Sequence, residues 1–189
     1  MSTAIVFWAL VALVLIYGVF VYNALVQIKH NVAKAWSNID VLLKQRHDEL
    51  PKLVEACRQY KQFEQETLQR VTEARARVQA ASQAQDIPAL GVAEGALRLG
   101  LGQIFAVAEA YPELRANEQF AQLMQRITGL EEAIADRREL YNESVNINNV
   151  RIEQFPDAVI ARLFGFGPRE LLTFQADDLK DVDLKKLFA

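Results

Sequence analysis

The chain has few of the side chains on which metal and catalytic sites depend. Its 189 residues contain one cysteine and two histidines. A lone cysteine, Cys57, can form neither an internal disulfide nor a cysteine-based zinc site. The histidines, His30 and His47, do not occur in an H-E-x-x-H or comparable ligand spacing. The sequence therefore predicts no metal centre, no cofactor and no enzymatic activity.

An excess of basic charge is also missing. Lysine and arginine number 21 against 24 aspartates and glutamates, which gives a net charge of -3. Nucleic-acid binding requires a clustered basic surface, so no nucleic-acid partner is expected. Neither glycine-rich phosphate motif occurs, and the glycine-containing stretch GALRLGLG follows no predicted strand. These absences leave a structural or protein-binding role as the expected class.

The N-terminus lacks charge altogether, because the first 28 residues contain no Asp, Glu, Lys or Arg. As a helix, the apolar run at 4–26 would rise about 34 Å, enough to cross the hydrocarbon core. Trp8, Tyr17 and Tyr22 lie toward its ends, as interfacial aromatic residues do. A cleaved signal peptide would have a basic start and a small-residue cleavage site, and neither is present. We expect residues 1–28 to be a transmembrane anchor with membrane lipid as its partner.

The flanking charges predict the orientation of this anchor. Lys29, Lys34, Lys44 and Arg46 follow the apolar run, whereas only the α-amino group precedes it. The positive-inside rule places such a basic flank in the cytoplasm. The expectation is a single-pass membrane protein with a short N-terminus outside and a cytoplasmic C-terminal domain.

A heptad pattern follows the apolar run. Steps of three and four from Trp36 to Ala81 meet mostly apolar residues, which is the 3.5-residue repeat of coiled coils. The pattern predicts one long helix over 29–82 that continues from the membrane segment. Pro51 lies inside it, and an internal proline removes a backbone hydrogen bond. We expect either a kink near residues 47–50 or a helix restart with Pro51 at its first position.

The second half of the chain also has helical periodicity. A helix is expected over 88–110, and its glycines indicate either a weak outer helix or close approach of another backbone. Tyr111 and Pro112 mark a break. A long helix then begins at Asn117, a good N-terminal cap, and runs to about Ile152.

Phe155 and Pro156 end the long helix, and the stretch DAVIARLF predicts a short helix after them. No segment alternates with a period of two, so the predicted fold class is all-α. It is an antiparallel helical bundle over 29–166 with long coiled-coil-like helices. Residues 167–189 are acidic and lack a packing pattern, which predicts a mobile tail that could order on a partner.

Charged residues occur on the otherwise apolar seams. Arg46, Glu64 and Arg137 fall at positions where the heptad pattern predicts burial. A buried glutamate can act as an acid or base, but more often it pairs with arginine and fixes helix register. An apolar seam alone could slide by a heptad, and a buried charge would oppose such a slip. The candidate carboxylate partners are Asp40, Asp48, Glu64 and Asp136.

Several segments between Tyr22 and Phe166 are landmarks: YNALV at 22–26, AWSNIDVLLKQRHDELPKLV at 35–54, YPELRANEQF at 111–120, the run Glu131, Ile134, Arg138, Tyr141 and Asn142, and FPDAVIARLFGF at 155–166. With these landmarks the chain resembles the LemA family. Such proteins are bacterial, so the resemblance implies a location in the bacterial inner membrane. The resemblance implies one N-terminal membrane helix and a helical-bundle domain, and it implies no particular biochemical activity. One departure is Ile147, which stands where the family usually repeats a tyrosine before asparagine.

The sequence favours a membrane-anchored, non-enzymatic scaffold that forms homo-oligomers through its helical faces and organises membrane proteins or shapes the envelope membrane. Apolar residues off the main seam, such as Leu42, Val54 and Phe63, either widen that face or pack inside one bundle. The alternative is a monomeric adaptor that docks a membrane or cytoplasmic protein, such as a protease or transport complex. The candidate structural and interface residues are Trp36, Asp40, Arg46, Pro51, Glu64, Tyr111, Pro112, Arg137, Tyr141, Asn142, Phe155, Pro156 and Phe166.

Overall fold

The computed structural model of the chain describes residues 2–60 and 65–173. Helices make up 89% of these residues and none of them forms a strand, which confirms the predicted all-α fold. The helices are α1 Ser2–Arg58, α2 Gln65–Ala84, α3 Ile87–Ala110, α4 Pro112–Arg115, α5 Glu118–Glu153 and α6 Asp157–Phe164.

The prediction of a single helix over 29–82 is wrong, because this part of the chain forms two helices. α1 runs through Pro51, whose side chain is exposed, and ends at Arg58. α2 begins at Gln65 and turns back along α1. The break therefore follows the proline instead of coinciding with it. A 3.5-residue repeat is the same for one long helix and for two antiparallel helices that share a core, so periodicity could not reveal the turn.

The chain divides into two compact units, to which α1 and α5 both contribute residues. The first, here called the α6 unit, comprises residues 2–37 and 139–171. The second, here called the bundle, comprises the described residues of 38–138 together with 172–173.

The bundle packs parts of α1 and α5 with α2 and α3. Asp40 contacts Ser82 and His47 contacts Arg75, so α2 runs antiparallel to α1. The side chain of Asp86 caps α3 by accepting a hydrogen bond from the backbone N–H of Ala89 at 3.0 Å. The apolar core is formed by aliphatic and aromatic residues of these helices, namely Ile39, Leu43, Leu50, Leu53, Leu68, Val71, Leu90, Leu97, Leu101, Ile104, Phe120, Leu123 and Ile127.

Two glycines of α3 permit close approach of neighbouring chain segments. Of the two alternatives predicted for this helix, the structure therefore favours close approach over a weak outer helix. A Cβ at Gly100 would lie 2.6 Å from Cγ2 of Val71 on α2. A Cβ at Gly91 would overlap the carbonyl oxygen of Thr173. Gly102, in contrast, is exposed and faces open space. Gly91 and Gly100 therefore hold neighbouring chain segments close to α3.

In the α6 unit, polar side chains of α5 hold the backbone that follows α6. Asn148 donates to the carbonyl of Gly167 at 3.2 Å, and Asn149 both donates to the carbonyl of Arg169 and accepts from its N–H. The hydroxyl of Tyr141 donates to the carbonyl of Glu170 at 3.0 Å. Gly167, Arg169 and Glu170 thus have hydrogen-bond partners on α5, although the mobile tail was expected to start at 167. Residues 174–189 of that tail lie outside the described part of the chain.

Candidate functional site

A group of ion pairs lies in the core of the bundle and is here called the charge cluster. Its centre is Arg46 of α1, which is 1% exposed. The guanidinium of Arg46 donates to a carboxylate oxygen of Glu94 on α3 and to one of Glu131 on α5. Arg98 of α3 donates from Nε to the other oxygen of Glu131 at 3.1 Å. Two cations and two anions therefore link α1, α3 and α5.

The heptad pattern positions these residues. Arg46 follows buried Leu43 and precedes buried Leu50, as its seam position predicted. Glu94 lies between buried Leu90 and Leu97 on the inner face of α3. Each charge therefore occupies a site that the helix period assigns to the core.

The carboxylates predicted as possible partners of Arg46 and Arg137 were Asp40, Asp48, Glu64 and Asp136. For Arg46, Glu94 and Glu131 take that role instead. Glu131 was noted only as a family landmark, and Glu94 was missed. A signal for Glu94 was present: together with Arg98 it supplies all the charge between Pro88 and Ala108. Glu64, the other predicted seam acid, lies outside the described residues.

Within the charge cluster, each buried charge is stabilised by the opposite charge of its partners. Burial opposes the charge of Arg46, but the carboxylates of Glu94 and Glu131 outweigh this penalty and raise the pKa of Arg46. Burial also raises the pKa of Glu94, and the guanidinium of Arg46 only partly offsets that effect. Glu94 is 1% exposed, and its Oε2 has no hydrogen-bond partner. Glu94 therefore depends on Arg46 for its compensation.

Two further polar contacts join α1 to α2 beside the charge cluster. Asp40 accepts a hydrogen bond from Ser82 at 2.9 Å and pairs with Lys44 at 2.5 Å. Burial raises the pKa of Asp40, but the hydrogen bonds from Lys44 and Ser82 outweigh it, so the pKa is lowered overall. The guanidinium of Arg75 lies 2.6 Å from Nε2 of His47 and donates from Nε to its backbone carbonyl. Burial and the charge of Arg75 lower the pKa of His47.

Among the described residues, no group of three or more His, Cys, Asp or Glu side chains could hold a metal ion. Cys57 is completely buried, and burial raises the pKa of its thiol to about 12. The carboxylates of Glu94 and Glu131 are engaged by arginines. The arrangement can fix the mutual register of helices through matched charges.

In the α6 unit, the structure brings Trp36 and Tyr141 together. Their rings meet edge to face, with centroids 5.8 Å apart. Asn142 is half-buried on the next position of α5.

Arg137, expected on the seam, is exposed. The inner face steps by four residues from Ile134 to Arg138, which leaves Arg137 pointing outward.

The remaining predicted residues lie at helix ends. Tyr111 is exposed and caps α3, and Pro112 begins α4. Phe155 is 86% exposed, and Pro156 precedes α6. Phe166 packs against the apolar cluster of Val21, Leu25 and Ala161. Within the bundle, the described ion pairs of the charge cluster involve neither Tyr111 nor Pro112.

Known proteins share parts of this sequence. Two magnetosome proteins of Paramagnetospirillum magneticum, MamQ 1 and MamQ 2, are each 32% identical over 78 residues, which is 41% of this chain and 29% of theirs. Magnetosome protein MamQ of Magnetospirillum gryphiswaldense is 31% identical over 74 residues, or 39% of this chain and 27% of its own. The aligned part of the chain thus spans less than a third of these curated relatives.

The model of the LemA family matches residues 35–185, which is most of the chain. This match includes α1 from Ala35 onward, the residues of the charge cluster and the α6 helix. The chain belongs to the LemA family.

Proposed function

We propose that this LemA family protein is a membrane-anchored, non-enzymatic scaffold that self-associates in the bacterial inner membrane. The proposal rests chiefly on α1. Its N-terminal apolar stretch is long enough to cross a membrane, and only 6% of that stretch is buried within the chain. α3 also passes the same test of length and composition, but half of its apolar stretch is buried in the bundle, as in the core helix of a water-soluble domain.

A bilayer is the environment that fits this exposed surface. Ile5, Phe7, Trp8, Leu13 and Phe20 are each at least 59% exposed. A continuous apolar surface of this kind is far larger than the patches that proteins expose to water. The basic residues that follow it support an outside N-terminus and a cytoplasmic helical domain. A cytoplasm-specific reporter joined after Ala189 tests this orientation, and an inactive reporter in an expressed fusion would contradict it.

A second surface supports self-association. Leu140, Ile147 and Val150 lie on one side of α5 within the α6 unit, and each is between 44% and 49% exposed. Their spacing is that of a helix face which packs against another helix. Val54, a residue considered for this role from sequence, is buried, so packing inside one bundle accounts for it.

The named relatives add limited support. They are magnetosome proteins, and the segments shared with them cover less than a third of their length. This partial overlap is compatible with the proposed scaffold, and no magnetosome role is proposed for this chain.

The test of self-association is the mass of the full-length protein in mild detergent, measured by light scattering. We expect a discrete multiple of the chain mass of 21.4 kDa. An Ile147→Glu variant should lower that mass, whereas Leu99→Glu, a change at a similarly exposed apolar residue of α3, should not. A wild-type monomer would contradict the scaffold and favour the monomeric adaptor that docks a protease or transport complex.

A further inference from the structure

The short helix α6 packs against the apolar N-terminal stretch of α1. Ala161 is 1% exposed and forms a buried cluster with Val21 and Leu25 of α1. The ring of Phe164 meets that of Tyr22 edge to face, with centroids 4.8 Å apart. α6 therefore lies alongside the part of α1 that the membrane proposal assigns to the bilayer and its boundary.

The position of Gly18 gives the depth of this contact. A Cβ at Gly18 would lie 3.8 Å from Cδ1 of Ile160 on α6. The first 28 residues contain no Asp, Glu, Lys or Arg. About 20 residues of helix cross the hydrocarbon core. Any stretch of that length within the first 28 residues includes Gly18. Depending on the stretch, Gly18 lies about 3 to 15 Å inside the hydrocarbon boundary. Ile160 is consequently at or below the level where lipid tails begin.

The charges of the α6 unit favour the shallow end of that range. Arg162 on α6 is exposed, and Asp157 of α6 pairs with Arg151. Charged groups are unfavourable at the centre of a bilayer, whereas arginines near the boundary reach anionic headgroups. Lys29 and Lys34 of α1 are also exposed and supply further basic charge.

The outer side of α6 is apolar, although its inner side is already buried. Val159 and Leu163, four residues apart, are 56% and 72% exposed on the side opposite Ala161. Phe155, four residues before Val159, is 86% exposed. A surface helix of a water-soluble domain has a polar outer side, so an outer side as apolar as that of α6 indicates contact with protein or lipid.

We propose that α6 is an interfacial helix that inserts Val159 and Leu163 into the same bilayer that α1 spans. The inference rests on the proposed membrane anchoring and goes beyond it, because it gives the chain a second lipid contact. α6 then lies at the boundary between headgroups and lipid tails, with its apolar residues buried about 5–10 Å into that boundary. Arg162 faces the headgroups.

The test uses the full chain in vesicles of neutral and anionic phospholipids. Single cysteines are introduced as Val159→Cys and Leu163→Cys in a Cys57→Ala background and labelled with an environment-sensitive fluorophore. Val92→Cys and Leu99→Cys are matched controls, because these residues of α3 are 51% and 54% exposed. Leu10→Cys reports on the insertion of α1 itself. Circular dichroism confirms that each labelled variant is folded.

We expect nitroxide-labelled lipids to quench the labels at Val159 and Leu163 strongly and those at Val92 and Leu99 weakly, with iodide giving the reverse order. Equal iodide quenching at all four positions would refute the inference, while lipid quenching at Leu10 would leave the anchor intact. Labels at Val159 and Leu163 that neither agent quenches would indicate a second protein chain over α6 and would also refute it. A water-exposed label at Leu10 would overturn the anchor and the inference together.

Discussion

Replacement of Arg46 by methionine tests whether the charge cluster holds the bundle together. Arg46 and Glu94 are each 1% exposed. Methionine is apolar and comparably long, so the change leaves no large cavity but removes the cation. Glu131 keeps Arg98 as its partner. Glu94 loses its hydrogen bond from Arg46, and its second oxygen already has no partner.

The size of the effect follows from this orphaned carboxylate. Removing one partner of a buried ion pair typically destabilises a protein by about 3–5 kcal/mol. Burial already raises the pKa of Glu94, so protonation of its carboxyl limits the loss toward the lower end. A domain typically unfolds with a free energy of about 5–15 kcal/mol. A loss of about 3 kcal/mol would lower the Tm of a chain of this length by about 6–12 °C.

The assay is thermal unfolding of the full-length protein in mild detergent, followed by circular dichroism. Arg126→Met is the matched control, because Arg126 is 64% exposed and its Nη1 lies 3.8 Å from Glu49. A surface pair of this kind contributes at most about 1 kcal/mol. Adding Glu94→Gln to Arg46→Met should restore much of the lost stability, because the double variant buries no unpaired charge.

Two results would refute this reasoning. One is an Arg46→Met variant as stable as Arg126→Met. The other is a double variant that is less stable than Arg46→Met alone, since the damage would then come from lost packing instead of an uncompensated charge.

Three other predictions concern His47, Gly91 and Cys57. Burial and the charge of Arg75 lower the pKa of His47 below its ordinary value of 6.5. Because folding favours the neutral ring, the free energy of unfolding should fall as the pH drops below 6.5. Denaturant titrations across this range should show a smaller fall for His47→Gln; an identical pH dependence would contradict the assignment. Gly91→Ala would force its Cβ onto the carbonyl oxygen of Thr173, so hydrogen exchange near Thr173 should quicken, and unchanged exchange would argue against the contact. Because burial raises the pKa of the Cys57 thiol to about 12, iodoacetamide should modify it only after unfolding, and rapid modification of the native protein would show that the thiol is accessible.

The sequence predicted the helical fold and the burial of Arg46 because both depend on periodicity within one helix. It did not predict the partners of Arg46, since Glu94 and Glu131 are brought near only by the packing of α3 and α5. The same limit explains the missed turn after Arg58, because a heptad repeat does not record where a helix reverses.

The segment after α6 shows a different limit. Asn148 and Asn149 hold the backbone of residues 167–169, and the partners they find are carbonyl and N–H groups that every residue carries. Composition therefore gave no sign that this poorly patterned stretch has fixed contacts. The helix Asp157–Phe164, in contrast, was predicted at the residues where it occurs, and only its contact with α1 required the structure.

The claim on which the proposed function and the role of α6 both depend is that α1 anchors the chain in a membrane. Alkaline carbonate extraction of membranes from cells that express the full-length chain tests it directly, beside a chain that starts at Asn31. The account predicts that the full-length protein stays in the membrane pellet with integral proteins. Release of the full-length protein into the supernatant, in the same proportion as the shortened chain, would contradict it.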